Sequence, residues 1–266
     1  MGFDVAADAY GRFMGRYSAP LTGELLRLVD PQPGQRALDV GCGPGVVAAA
    51  LVERLGAASV CAIDPSAPFV PAARQRLPGV DVRNGGAEQL PWPDASFDRA
   101  VAQLVVHFMA DPVAGLREMA RVTRPDGLVA ASVWDYGGNR SPLSTFWQVV
   151  RETDPEHPGE AALAGAREGH LAQLFAAAGL ADVQAGEMTV RVPMAGFDDW
   201  WEPFLLGVGP AGQYLAAATR ARREQLRQRC AECLPAGPFE VEATAWVTTG
   251  RPASGRPASG GRAAAS

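Results

Sequence analysis

The residues best suited to chemistry lie in one short run, Asp39-Val40-Gly41-Cys42-Gly43-Pro44-Gly45. Glycines at alternate positions let a backbone turn sharply and come close to a ligand. A helix opening directly after them presents the free N–H groups of its first turn. Asp64 ends the next apolar run and is followed by Pro65. A carboxylate there can either accept hydrogen bonds from a ligand's hydroxyls or cap a local turn. His107 is the histidine nearest these elements, and imidazole titrates near neutral pH. It reads either as a general base or as a packed core histidine. Asp135 and Tyr136 close a later apolar run, where they either line a pocket or begin a loop.

The elements that must position these residues alternate between two periodicities. RALDV (36–40), SVCAID (59–64), VDVRN (80–84), FDRAVAQLVV (97–106) and GLVAASVWD (127–135) read as buried strands. Helices are expected over 21–30, stopped by Pro31, over 45–56, from Ser66 to Leu77, and over 111–123. Strands alternating with helices argue for a parallel sheet covered on both faces. Beyond Trp134 the pattern changes. Residues 138–170 are polar and broken by proline, with a helix at 142–152. Residues 171–180 form a helix with a Gly179 cap, and 181–190 a strand. The segment 196–234 carries an aromatic cluster, Trp200, Trp201 and Phe204, and a long helix at 211–230; 239–250 is a final strand. Residues 138–170 and 196–234 therefore read as cap insertions within a single domain spanning 1–250. The RPASG repeat opens a Gly/Ser/Pro/Ala tail over 251–266, too poor in apolar side chains to fold, so disorder is expected there.

Composition narrows the chemistry. The 266 residues are 47% hydrophobic and carry a net charge of -5, with enough apolar mass for one sizeable core. Every lysine-or-arginine position is arginine, which excludes a lysine Schiff base or a lysine-bearing phosphate loop. An acidic chain lowers the expectation of a nucleic-acid partner, because phosphate contacts need a basic face. Of the four cysteines, Cys42 and Cys61 fall in core segments, and the single Cys230–Cys233 pair lacks the second pair that a zinc site requires. No metal is expected. No apolar stretch reaches about 18 residues, and the first residues lack a signal pattern, so stable membrane insertion is not expected and a cytoplasmic location follows by default.

A dinucleotide fold would share this architecture, but its GxGxxG fingerprint does not match, since the third small position falls on Val46. The glycine run with Asp39, followed by Asp64 at the end of the next strand, instead resembles the class I S-adenosylmethionine (SAM)-dependent methyltransferases. Gly86-Ala87-Glu88-Gln89-Leu90-Pro91-Trp92-Pro93-Asp94, Ser96-Phe97-Asp98 and Arg121-Val122-Thr123-Arg124-Pro125-Asp126-Gly127 resemble the broad group that includes ubiquinone and menaquinone C-methyltransferases. The starting run Tyr10 to Ser18, with Val133-Trp134-Asp135-Tyr136 and Asp199-Trp200-Trp201-Glu202-Pro203-Phe204, resembles a bacterial subgroup of mostly unassigned substrate.

The resemblance implies an α/β, Rossmann-like methyltransferase fold: a mainly parallel seven-stranded sheet, helices on both faces, the last strand antiparallel, and a helical cap. It implies SAM as cofactor, S-adenosylhomocysteine (SAH) as product, and a small-molecule acceptor methylated on carbon, oxygen or nitrogen. Asp39 and the backbone of Gly41, Cys42, Gly43 and Gly45 would face the methionine part of SAM. Asp64, with Pro65 beside it, would hold the ribose, and Ala87 would offer its N–H to adenine. The family commonly has Asp where this chain has Gly86; Glu88 either substitutes or points to solvent. Gln103 would lie near the methionine end. Tyr10 and Tyr17, in the N-terminal flap and helix of residues 1–30, would close over SAM or simply dock that helix. Trp200, Trp201 and Phe204 would join Tyr136 in walling the acceptor pocket or would anchor the cap. The rival functions are a SAM-binding protein without catalysis, a quinone or lipid methyltransferase and a nucleic-acid methyltransferase. The last usually carries a Pro-Pro motif where this chain reads Gln103-Leu104-Val105-Val106. The sequence does not fix an oligomeric state.

Overall fold

The computed structural model describes residues 7–253. Seven strands form one sheet in the order β3-β2-β1-β4-β5-β7-β6. They are β1 (Ala37–Val40), β2 (Val60–Asp64), β3 (Asp81–Asn84), β4 (Phe97–Gln103), β5 (Thr123–Trp134), β6 (Leu180–Met194) and β7 (Phe239–Pro252). β1 to β5 pair in parallel, whereas β7 runs antiparallel to both β5 and β6. The sheet is thus mainly parallel, and its last strand is reversed. β1, β2 and the end of β5 are buried along their whole length, as strands covered on both faces must be.

Two groups of helices cover the sheet. α2 (Arg16–Val29) packs on α3 (Val46–Leu55), which lies over β1 and β2; α4 (Phe69–Arg76) lies against β2 and β3. α5 (Pro112–Val122) and α7 (His170–Ala177) pack together over β4 to β7. Asp111 caps α5 by accepting the Ala114 N–H at 3.0 Å. At the end of α2, Asp30 takes the left-handed conformation just before Pro31.

Several boundaries differ from the sequence reading. Ahead of α2, the chain is already helical, as α1 (Ala7–Tyr10) and a π-helical turn (Gly11–Gly15). From residue 7 onward the expected flap is therefore a helix with a wide turn in it. α4 begins at Phe69 and not at Ser66, as the prolines at 68 and 71 permit. β4 stops at Gln103, three residues early, because Leu104 adopts φ +62° and turns the chain into a short 3₁₀ turn, Val106–Phe108.

The cap comprises two excursions. α6 (Ser144–Thr153) lies between β5 and α7; α8 (Phe197–Trp201), a 3₁₀ turn (Glu202–Leu206), α9 (Gly209–Ala217) and α10 (Arg220–Cys233) lie between β6 and β7. The single helix expected at 211–230 is two, broken where Thr219 leaves helical geometry and caps α10 by accepting the Arg222 N–H. β7 runs to Pro252, and Arg251 donates to the Asp126 carbonyl, so the first two residues of the expected tail are strand. The rest of that tail from 254 onward, and residues 1–6, lie outside the described residues.

Candidate active site

In an open parallel sheet, ligands bind beyond the carboxyl ends of the strands, where the strand order reverses. Here the reversal falls between β1 and β4. The residues leaving these ends are Gly41 from β1, Asp64 from β2, Gln103 from β4 and Trp134 from β5.

The glycine run turns as its composition requires. Gly41, Gly43 and Gly45 have φ of +71°, +52° and +87°. A Cβ on Gly41 would lie 2.5 Å from the Val105 methyls, and one on Gly45 would lie 2.7 Å from Leu77 Cδ1. The N–H groups of Gly41 and Cys42 both donate to the Ile63 carbonyl, and Gly43 donates to Asp64 Oδ2 at 2.7 Å. Ser66 N–H donates to Asp64 Oδ1 at 2.8 Å. Asp64 is thus oriented by two backbone donors, while burial raises its pKa above the usual carboxylate range. Pro65 beside it is exposed. Asp39 accepts the Ala48 N–H at 2.9 Å, tying the loop to α3, and burial pushes its pKa up to about 7. The Cys42 thiol is buried and far from ionising, and its N–H is taken up by the Ile63 carbonyl.

Beyond β3, Ala87 is buried and Glu88 is partly exposed. Its Oε1 accepts the N–H of Ala110 at 2.8 Å, and its Oε2 would lie 2.8 Å from a Cβ on Gly86. The Glu88 carboxylate therefore occupies the space that a side chain at 86 would need. Gln103 is the last residue of β4. Its amide donates to the Ser18 carbonyl and the Thr22 hydroxyl, while its Oε1 is buried without a partner.

The two flap tyrosines part company. Tyr10 packs edge-on against Phe69, sits in the field of Asp64 and Asp39, and has its pKa pushed up to about 12 by burial and by those carboxylates. It also lines an apolar cavity. Tyr17 is buried in the core, and its charged neighbours are Arg16 and Asp199, which pair with each other. It docks the helix under the cap.

The free space in that cavity is about 390 Å³ counting the part open to solvent, of which about 30 Å³ admits the centre of a water molecule. Phe13 and Met14 wall it from the N-terminal helix, Leu104 and His107 from the β4 turn, Trp134 and Tyr136 from the end of β5, and Leu143, Glu160 and Val208–Ala211 from the cap. Trp200, Trp201 and Phe204 do not line it. Phe204 stacks on Phe146 with centroids 5.0 Å apart and meets Phe13 edge-on; Trp200 and Trp201 pack on Phe204. These rings anchor the cap. Asp135 is also structural. It pairs with Arg140 at 2.6 Å and accepts the Trp246 indole N–H.

His107 is 7% exposed, and its Nδ1 has no partner. Burial with no compensating charge lowers its pKa to about 3. At neutral pH it is an uncharged imidazole and too weak a base to hold a proton. Glu160, which sequence reasoning passed over, is the carboxylate on the cavity wall. It is 2% exposed, accepts the Trp147 indole N–H at 2.6 Å, and is hydrogen-bonded to Tyr136; burial raises its pKa to about 7. The available signal was an acid set against small apolar residues, Glu160-Ala161-Ala162-Leu163, in a polar insertion.

Comparison with known proteins bears directly on this geometry. Residues 38–131, which span the glycine run, Asp64, Ala87, Gln103 and His107, match the family model for a methyltransferase domain. The nocamycin O-methyltransferase of Saccharothrix syringae is 33% identical over 73% of this chain and 77% of its own length. This chain belongs to the class I SAM-dependent methyltransferases. The methyltransferase is also 36% identical to the malonyl-[acyl-carrier protein] O-methyltransferase of Serratia marcescens, over 54% of this chain and 58% of that protein. A trans-aconitate 2-methyltransferase from Azoarcus sp. is 36% identical over 61% and 60%. The chain thus spans less than two thirds of these last two relatives. Among solved structures, the YcgJ protein of Bacillus has the same fold at a TM-score of 0.56 and 23% identity, covering 86% of this chain and 96% of that one. The [4+2]-cyclase SpnF shares it at 0.54 and 21% identity, over 88% and 80%. These likenesses show the fold, and a fold alone does not fix a reaction.

Proposed function

We propose that this methyltransferase acts on a small, largely apolar organic molecule held in the cavity between the sheet edge and the cap. One observation carries the reading: Tyr10 belongs both to the wall of that cavity and to the surroundings of Asp64 and Asp39. Cofactor and acceptor would thus meet across a single side chain.

The residues at the strand ends fit SAM. Gln103 holds a buried, unpartnered carbonyl oxygen, suited to a donor such as the cofactor's ammonium. The glycine run leaves no room for side chains facing Val105 and Leu77. Asp64 would hold the ribose hydroxyls, Ala87 would face adenine, and Asp39 would keep the loop in place through Ala48. Bound there, SAM supplies a methyl group on a sulfonium, a leaving group that needs no further activation.

The protein's own contribution is orientation and the exclusion of water. Aligning a nucleophile with the methyl group lowers a barrier by up to about 7–11 kcal/mol. Leu104 serves this purpose. Its left-handed backbone, costly for a leucine, ends β4 and swings Val105 over Gly41 and His107 onto the cavity wall. The stacked rings of Phe146 and Phe204 would steady the cap beside the acceptor.

Incubation with methyl-labelled SAM and a panel of aromatic alcohols, amines and acids, read by mass spectrometry, tests the reading. Transfer to at least one acceptor that fits the cavity is expected. SAM binding without transfer to any of them would favour a non-catalytic SAM-binding protein.

A further inference from the structure

The cavity contains an unusual balance of charge. Among the described residues that line it there is no arginine, His107 is neutral, and Glu160 is the one carboxylate. A site meant for a carboxylate acceptor would want a fixed cation, because an unpaired anion in an apolar enclosure is costly. Glu160 instead presents an acceptor oxygen. It comes from the cap and is held from two sides, by the Trp147 indole of α6 and by Tyr136 at the end of β5. Two donors on a buried carboxylate leave lone pairs for a third.

We propose that Glu160 selects and deprotonates the acceptor, whose class is an apolar phenol or alcohol and not a carboxylate. The inference rests on the methyltransferase reading of the same cavity. In the step, the acceptor O–H bond breaks and its proton passes to a Glu160 oxygen. The acceptor oxygen forms the new C–O bond to the methyl group as the S–CH₃ bond breaks, and that bonding pair stays on sulfur, leaving the neutral thioether SAH. Glu160 returns the proton to solvent after the product leaves. A carboxyl that titrates near neutrality suits this exchange. The groups facing it are Tyr136 and Trp147, with His157 stacked behind Trp147 at 5.2 Å between centroids.

The test uses 1-naphthol and 1-naphthoate as probes, titrated calorimetrically into the SAH-saturated wild-type protein and its Glu160→Gln variant. The amide oxygen of the variant can still accept the Trp147 N–H. In the wild type, 1-naphthol should bind at least about tenfold tighter than 1-naphthoate. In Glu160→Gln that preference should shrink to about threefold or less, and turnover of 1-naphthol should fall by about 10²-fold or more, with SAH affinity unchanged. Equal or tighter binding of 1-naphthoate, a preference that survives in the variant, or no naphthyl binding while SAH binds would each overturn the proposal. The wild-type ranking decides the matter even if the variant fails to fold. Failure of SAH to bind the wild type would instead sink the methyltransferase reading, and this inference with it.

Discussion

The carboxylate of Asp64, at the end of β2, accepts the backbone N–H of Gly43, in the loop after β1, at 2.7 Å. The acid and the glycine run are therefore tied into one unit. Replacing Asp64 with Ala should weaken SAM binding by roughly one to two orders of magnitude, since hydrogen bonds to a charged group contribute about 1.5–3 kcal/mol. Calorimetry on a variant with an unaltered melting curve checks this. Unchanged affinity would remove Asp64 from the cofactor site.

Gly41 tests the loop's geometry separately from its charge. An added methyl would meet Val105 at 2.5 Å, and the backbone sits at φ +71°. Gly41→Ala should lower both the melting temperature and SAM affinity. The double variant Gly41→Ala/Val105→Ala should recover the steric part but keep a left-handed backbone cost of about 1–2 kcal/mol. Full recovery of the thermal melt would show that the conformation at 41 is not under strain.

His107 should not set the pH dependence of the reaction. Its pKa in the folded protein, about 3, lies below its ordinary value of 6.5. The unfolded chain therefore takes up this proton first, and the stability His107 allows is lost as pH falls from about 6.5 towards 3. His107→Phe should flatten the acid-side loss of stability and leave the rate profile between pH 5 and 9 in place. A rate limb that moves with this substitution would reinstate His107 as the base.

Glu160 has the opposite sign. Its pKa rises from 4.5 to about 7 on folding, so its contribution to stability is fully present below 4.5 and is lost as pH climbs through about 7. The loss amounts to ~3 kcal/mol for a shift of this size. Glu160→Gln should gain melting temperature relative to wild type at pH 8 but not at pH 4, as followed by circular dichroism. A gap between the two proteins that does not vary with pH would contradict a buried, titrating carboxyl.

The framework of this protein was legible because its signals are local. Buried strands, the helix from 111, the stop at Pro31 and the glycine run all declare themselves within a few residues. The reversed final strand came from the family resemblance and not from the local pattern. What stayed hidden depends on partners distant in sequence. Leu104 looks like an ordinary strand residue until its left-handed turn is seen. Trp200, Trp201 and Phe204 have the composition of a pocket wall, yet Phe204 packs between Phe146 and Phe13, and the two tryptophans pack on Phe204. Glu160 is one acid in a polar segment, and only Trp147 and Tyr136 make it a site. His107 was found by type, but its burial without a charged partner, which sets its pKa, is a property of the packed cavity.

The most direct test of the account is calorimetric titration of the wild-type protein with SAM, SAH and NAD. Micromolar binding of the two sulfur ligands, with none of NAD, is the predicted result. Binding of NAD, or of neither sulfur ligand, would contradict the assignment of the Asp39–Gly45 loop and Asp64 to SAM.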